Sequence, residues 1–339
     1  MSCEHVGKRG ASKRFTFWAV LFAVPVVALI CLLFGASGFG IPDLSTAMGR
    51  AIFWLRVNRV LTALVVGAAL SCAGCVFQAL LRNPLAEPYV LGVSSGAALG
   101  AAAAILLGAG SGLMLAVLPG AAFLGAAVTM GIVLLVAGGA GASIYSLILS
   151  GVIVSAIGSS LLMFLVATAS SQGLHSVVWW MLGNLQPTSG GLLGTCAAVV
   201  AAGVVGAWWL APDLNTMTLG KEAAHHVGVR TRFVSLIGLS LATLITSSAV
   251  AIAGLISFVG LIVPHAVRSL IGPDHRRLIP VSALAGGAFL AACDAVARTI
   301  LPSLTGQPIE VPVGVLTALC GGPFFLFILK FRGRRGWIG

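Results

Sequence analysis

Read as apolar and polar positions, the chain is a series of long apolar runs separated by short polar breaks. A helix that crosses a bilayer needs about 20 such residues. In that unit ten spans are predicted, at about 16–35, 60–81, 91–108, 113–137, 144–168, 191–211, 233–252, 254–271, 278–300 and 312–331, punctuated by Gly and Pro. Strands of a membrane barrel would alternate with period two. Runs such as Leu241–Ile256 do not. The expectation is an all-α polytopic membrane protein forming one domain, residues 1–339. The first run, Thr16–Phe34, exceeds the roughly 7–15 residues of a secretory signal core. It is expected to stay as a helix, although Gly35-Ala36-Ser37-Gly38 would make a passable cleavage site.

Composition agrees. Charged residues make up 8% of the 339 positions, against about 25% in a soluble domain. Hydrophobic residues make up 59% and the mean hydropathy is +1.09. The net charge of +11 is informative mainly through its placement. With a cytoplasmic N-terminus, ten spans return the C-terminus to the same side. The inner segments then hold Lys8 to Arg14, Arg82, the 212–232 loop, Arg268 to Arg277, and the tail from Lys330 to Arg335, as the positive-inside bias requires. A basic tail of this kind suits anionic headgroups and points to no nucleic-acid site.

Arg50, Arg56 and Arg59, between spans one and two, break the pattern, as does Arg298 at the outer end of span nine. Headgroup anchoring is one explanation. A docking surface for an acidic partner is the other. Asp294 lies four residues before Arg298, a spacing that can hold the arginine on a helix.

The remaining chemistry is sparse. Of eight carboxylates only Asp294 falls inside a span, near its outer end, so no midplane group is available for a proton relay. The four lysines, Lys8, Lys13, Lys221 and Lys330, do not belong to a G-x-x-x-x-G-K-[ST] phosphate loop. Energy for transport would have to come from another subunit. Cys72 and Cys75 form a C-x-x-C on an apolar helix without a second pair, which reads as packing. His225 and His226 are adjacent and would point about 100° apart on a helix. His265 is expected to cap or pack, and no metal is expected. Leu219 to Gly228 reads as a short helix closed by Gly228, in a loop able to serve as a platform for a cytoplasmic protein or simply to connect. Trp179 and Trp180 fit an interfacial helix. Gly92, Gly96, Gly100, Ala104 and Gly108, and again Gly314, Ala318 and Gly322, are small-residue stripes for close helix packing.

Two ordered motifs are more specific. One runs Arg56-Val-Asn-Arg59, Gly67-Ala-Ala-Leu, Phe77-Gln-Ala-Leu-Leu-Arg-Asn83-Pro-Leu85-Ala-Glu-Pro88 and Leu91-Gly-Val-Ser-Ser-Gly96. The other runs Gly254-Leu-Ile-Ser-Phe-Val-Gly-Leu-Ile-Val-Pro264-His265-Ala-Val-Arg268, Asp274-His-Arg276, Asp294-Ala-Val-Ala-Arg298 and Glu310-Val-Pro-Val-Gly314. Over nearly its whole length the chain resembles the permease subunit of FecCD-type ABC importers, which serve ferric siderophores, haem and cobalamin. It departs at Val57-Asn58, where that family commonly has an apolar residue and proline, and the start of span two is expected to loosen there.

The resemblance implies a type II ABC importer permease fold in the bacterial inner membrane. It implies a homodimer with a pathway at its interface, two cytoplasmic ATPase subunits that bind the ATP and magnesium, and a periplasmic binding protein; this chain itself would carry no cofactor and no catalytic residue. It assigns Arg56, Arg59 and Arg298 to docking of the binding protein. It places Asn83 and Leu85 at a cytoplasmic gate, with Ser143 as a second constriction. It gives Gly220, Glu222, Ala223 and Gly228 to contact with the ATPase. Alternating access driven by ATP is the implied mechanism, with a bulky iron complex as cargo and cobalamin as the alternative. A secondary carrier is the less favoured reading, and a membrane enzyme or channel is disfavoured by the lack of a catalytic cluster.

Overall fold

The computed structural model describes residues 19–20, 22–35, 38–107, 114–306 and 310–332. The basic N-terminal segment, the last residues of the tail, Gly108 and part of the passable cleavage site lie outside them.

Thirteen helices are present among the described residues. α1 (Phe22–Leu33) leads into two paired two-residue strands, β1 (Phe34–Gly35) and β2 (Gly38–Phe39). Then follow α2 (Ala47–Leu80), a 3-10 turn at Pro88–Leu91, α3 (Val93–Leu107), α4 (Met114–Ala137), α5 (Ile144–Ala167), α6 (Ser171–Met181) and α7 (Gly190–Trp209). The short α8 (Ala211–Met217) and α9 (Lys221–His226) precede α10 (Thr231–Ala253), α11 (Val259–Ile271), α12 (His275–Thr305) and α13 (Val313–Arg332). Six are long and apolar enough to cross a membrane, and four shorter ones (Phe22–Leu33, Val93–Leu107, Val259–Ile271, Val313–Ile328) are predominantly apolar. These ten correspond to the ten predicted runs.

The largest difference is at α2. It begins at Ala47, not near residue 60, with Thr46 Oγ1 accepting from the Gly49 amide at 3.0 Å as N-cap. Arg50, Arg56 and Arg59 therefore stand on the first turns of the helix and not in a connection. The helix passes through Val57-Asn58 without a break, so the expected loosening does not occur.

α2 is the most buried of the spans and packs on α12, α10, α11 and α7. In lipid there is no hydrophobic gain from pairing helices, so they approach through small residues and gain dispersion contact. Side chains at Gly67 and Gly286 would run into each other's helix backbone, and one at Gly74 would meet the carbonyl of Gly260. The α3 stripe works the same way: Gly96 and Gly100 face Gly125 and Ala121 of α4. In α13, Gly314 abuts the Leu182 carbonyl and Gly321 abuts the Phe258 ring, while Gly322 meets nothing within 4 Å; there the expected stripe is shifted by one residue.

Between α10 and α11 the chain is irregular from Gly254 to Phe258, with φ of +68° and +69° at those two residues. Backbone groups freed at such a break need partners inside the protein. Tyr89 supplies two, its hydroxyl donating to the Ile256 carbonyl at 3.0 Å and accepting from the Ile256 amide at 3.2 Å. A Glu87 carboxyl oxygen accepts from the Phe258 amide at 3.2 Å, at the start of α11.

Candidate functional site

Two polar clusters lie at opposite ends of the bundle. From Arg56 to Leu80 along α2 is a climb of about 36 Å.

At the Arg59 end, a buried carboxylate organises two arginines. Asp294 of α12 is 0% exposed. One of its oxygens accepts from Arg59 Nε at 2.9 Å and the other lies 3.0 Å from Arg298 Nε, so the predicted i,i+4 pairing is present. Arg59 Nη1 also donates to Glu310 at 2.7 Å. Arg298 Nη2 donates to the Cys31 carbonyl at 3.3 Å, which joins α12 to α1. Arg56 is enclosed by the end of α1 and the chain that leads from it to α2. It donates to the carbonyls of Leu32, Leu33 and Gly40 from Nη1 and to that of Gly38 from Nη2, at 2.7–3.4 Å. A side chain at Gly35 would occupy the place of its guanidinium. The three arginines, Glu310, Gly35, Ile52, Leu55 and Pro187 line a cleft of about 240 Å³.

The three arginines assigned to docking are gathered at this end, and they differ in exposure. Arg56 is 6% and Arg298 2% exposed, and both spend their donors on their own chain. They shape the mouth of the cleft. Arg59 is nearly as enclosed but reaches Glu310, whose side chain is 30% exposed. Arg50 is the exposed arginine of this end, donating to the carbonyls of Leu44 and Ser45.

At the other end, α2 stops at Leu80. The Asn83 amide bonds back to the Gln78 carbonyl and the Arg82 amide to that of Ala79. Arg82 takes the left-handed conformation, φ +45°, that this closure requires and that glycine usually fills. Asn83 Oδ1 then accepts from the Leu85 amide at 2.9 Å, and Leu85 is turned outward, 36% exposed. Ser143 N-caps α5, its hydroxyl accepting from the Ser146 amide at 3.0 Å. These two loops are the candidate gate elements.

Both border α9. The helix starts at Gly220, φ +126°, a conformation side chains rarely adopt. It closes with Gly228 at φ +88°, where the amides of Gly228 and Val229 bond to the carbonyls of His225 and Ala224. Glycine closes the short helix as expected. Glu222 and Ala223 face outward, and Leu219 and Val227 leave large apolar surface exposed at the helix ends. Lys221, not singled out in the sequence, turns inward and donates to the Ala142 carbonyl at 2.6 Å. Burial, then the nearby positive Arg82, lower its pKa from the usual lysine value. α8 is fixed to the start of α12 by Asn215, which donates to Asp274 and accepts from the His275 amide. His265 packs edge-on to Phe324, as a packing histidine should. Among the described residues no group of three His, Cys, Asp or Glu is placed to hold a metal.

Three further residues have roles that the sequence did not show. Glu87 lies in a loop as expected, but the loop folds inward. Tyr89 carries no charge signal at all. Asn58 pairs with the backbone of Thr188 through both ends of its amide, at 2.8 and 2.9 Å, fastening α2 to the segment before α7.

Comparison with known proteins agrees with this architecture. The chain is 40% identical over 318 residues to the cobalamin import system permease of Halobacterium salinarum, covering 91% of this chain and 82% of that one. It is 35% identical over 323 residues to the hemin transport system permease of Yersinia pestis, covering 91% and 95%. It is 38% identical over 274 residues to the ferric dicitrate transport system permease of Escherichia coli, covering 81% and 83%. A solved inward-facing metal-chelate type ABC transporter superposes with a TM-score of 0.84 at 29% identity, covering 94% of this chain and 99% of that one. The FecCD transport family profile matches residues 21–331, and the chain belongs to that family of ABC importer permeases.

Proposed function

We propose that this chain moves a bulky iron complex, haem or a ferric siderophore, across the bacterial inner membrane as one half of a homodimer. Two cytoplasmic ATPase subunits and a periplasmic binding protein complete the importer. The observation that carries the reading is the separation of polar features: an arginine-lined cleft at one end, and at the other an exposed short helix seated on two loops. In this arrangement α9, with Gly220, Glu222, Ala223 and Gly228, receives the ATPase. ATP binding draws the ATPase pair together, α9 shifts, and the loops carrying Asn83, Leu85 and Ser143 open the inner gate, the Leu85 side chains of the two copies parting across the dimer axis.

At the outer end Arg59 offers its charge beside Glu310, with Arg50 exposed nearby. Arg56 and Arg298 hold that surface in shape for acidic residues of the binding protein. Exposed pairs contribute only about 0.2–1 kcal/mol each, so their main effect is on orientation and encounter rate.

A cobalamin is the second reading for the cargo, favoured by the 40% identity to the Halobacterium salinarum cobalamin permease. The test is uptake into vesicles containing the permease with its ATPase and binding protein, offered haem, a ferric siderophore and cobalamin in turn. ATP-dependent uptake of an iron complex is expected. Preferential uptake of cobalamin would replace the cargo, and uptake by the permease without its ATPase would overturn the mechanism.

A further inference from the structure

The two candidate gate loops are far apart in sequence, and α9 is common to both. A side chain at Gly220 would lie 3.5 Å from Arg82 Nη1, one residue before Asn83. One residue further on, Lys221 Nζ donates to the carbonyl of Ala142 at 2.6 Å, one residue before Ser143. From α10, Arg232 closes over the same turn, its Nε 3.1 Å from where a side chain at Gly141 would begin. The turn itself consists of Gly138, Gly139, Ala140, Gly141 and Ala142, with φ of +96° and +82° at the first two glycines. It has no large side chains through which a push from α9 could be passed by packing. A hydrogen bond to its backbone is the direct mechanical link.

We propose that Lys221 is a positioning residue that ties α9 to the α4–α5 turn, so that a displacement of α9 is delivered to Ser143. The proposal rests on the reading of α9 as the ATPase contact. Lys221 differs from its neighbours there: Glu222 and Ala223 face outward, whereas the lysine is half-buried and engaged with its own chain. A charged donor on a neutral carbonyl forms one of the stronger hydrogen bonds available to such a link. Methionine at this position would keep the reach and apolar stem while removing the donor.

The test uses the complete permease–ATPase complex with a reporter at Tyr145→Cys, an exposed position two residues beyond Ser143. The rate of labelling by a charged maleimide is compared without nucleotide and with ATP plus vanadate, after subtraction of labelling at the native cysteines. Lys221→Met is expected to keep the ATPase bound and hydrolysing within about twofold, yet to shrink the nucleotide-dependent difference at least about fivefold; Lys221→Arg restores it. An unchanged difference in Lys221→Met, or no restoration by arginine, overturns the tie. Loss of the ATPase itself in Lys221→Met does so too, because it makes Lys221 a direct contact. Amide exchange in the unmodified complex gives an answer that does not depend on any variant folding. Residues 139–143 should respond to nucleotide together with 221–226, and a response of α9 alone overturns the proposal. The underlying reading fails separately: Glu222→Arg and Ala223→Trp that still co-purify with the ATPase would remove it.

Discussion

Asp294 shows how much one residue can hold at the Arg59 end. Among the described residues it is the carboxylate within ion-pair distance of both Arg59 and Arg298, and all three side chains are out of solvent or nearly so. Removing one member of a buried ion pair leaves an uncompensated charge, at a cost of about 3–5 kcal/mol. Asp294→Ala is therefore expected to lower thermal unfolding in detergent sharply, and Asp294→Ala with Arg298→Met to recover part of the loss; strict additivity would show that the pair does not interact. The same logic separates the arginines. Arg59→Gln keeps Asp294 paired to Arg298, so it is expected to weaken docking with a folded permease. Arg56→Gln empties a guanidinium site built from four carbonyls and is expected to destabilise the protein itself, read by the same melting assay. The arginines and Asp294 were legible as a misplaced charge group, and so was the Asp294–Arg298 spacing. Their burial was not, because the four carbonyls that enclose Arg56 come from the end of α1 and the chain that follows it and carry no residue signature. Asn58 was legible only as a departure from the family pattern; its partner is the backbone of Thr188, 130 positions away.

At the scale of elements, small residues set the helix spacing. α4 contains both kinds of glycine. Gly125 faces Gly96 and Gly100 of α3 so closely that an added methyl would enter the Gly96 backbone, whereas Gly131 meets nothing within 4 Å. Gly125→Ala should destabilise the protein by about 1–3 kcal/mol through overpacking. Gly131→Ala should stabilise it by up to about 1 kcal/mol by removing backbone freedom from the unfolded chain. Both are read from unfolding midpoints of the purified permease; equal effects would mean that α3 and α4 do not pack through this stripe. The stripe on α3 was readable from spacing alone, since small residues every fourth position make one face. The start of α2 was misplaced because Arg50, Arg56 and Arg59 read as polar loop; Arg50 is exposed and bonds locally to Leu44 and Ser45, while Arg56 and Arg59 are made compatible with a helix by contacts distant in sequence. A boundary after residue 252 was expected, but the next span was started at 254, so the irregular stretch 254–258 fell inside a predicted helix; its seal by Glu87 and Tyr89 depends on a loop folding back across about 170 residues of sequence, which no local pattern encodes.

For the whole molecule, the arrangement of charge bears on how transport is driven. A carrier powered by its own ion gradient needs an ionisable group that faces each side in turn, usually near the midplane. Here the ion pairs of the described residues are gathered at the Arg59 end, and the gate loops with α9 lie at the other, about 36 Å along α2. At that second end Glu87 is half-buried and bonded to the backbone at the start of α11. Burial raises its pKa, and its hydrogen bond from Phe258 opposes the shift. It caps α11 and so has a structural task that a proton carrier would have to abandon at every cycle. Transport by the assembled importer should then be indifferent to a proton gradient and dependent on nucleotide. In vesicles loaded with ATP, a protonophore is expected to leave haem uptake within about twofold, because no buried acid has to change sides. Glu87→Gln keeps an acceptor for the Phe258 amide and is expected to transport at a similar rate. A collapse of uptake on adding protonophore, together with inactive Glu87→Gln, would make Glu87 a proton site and this chain a carrier with a motor of its own.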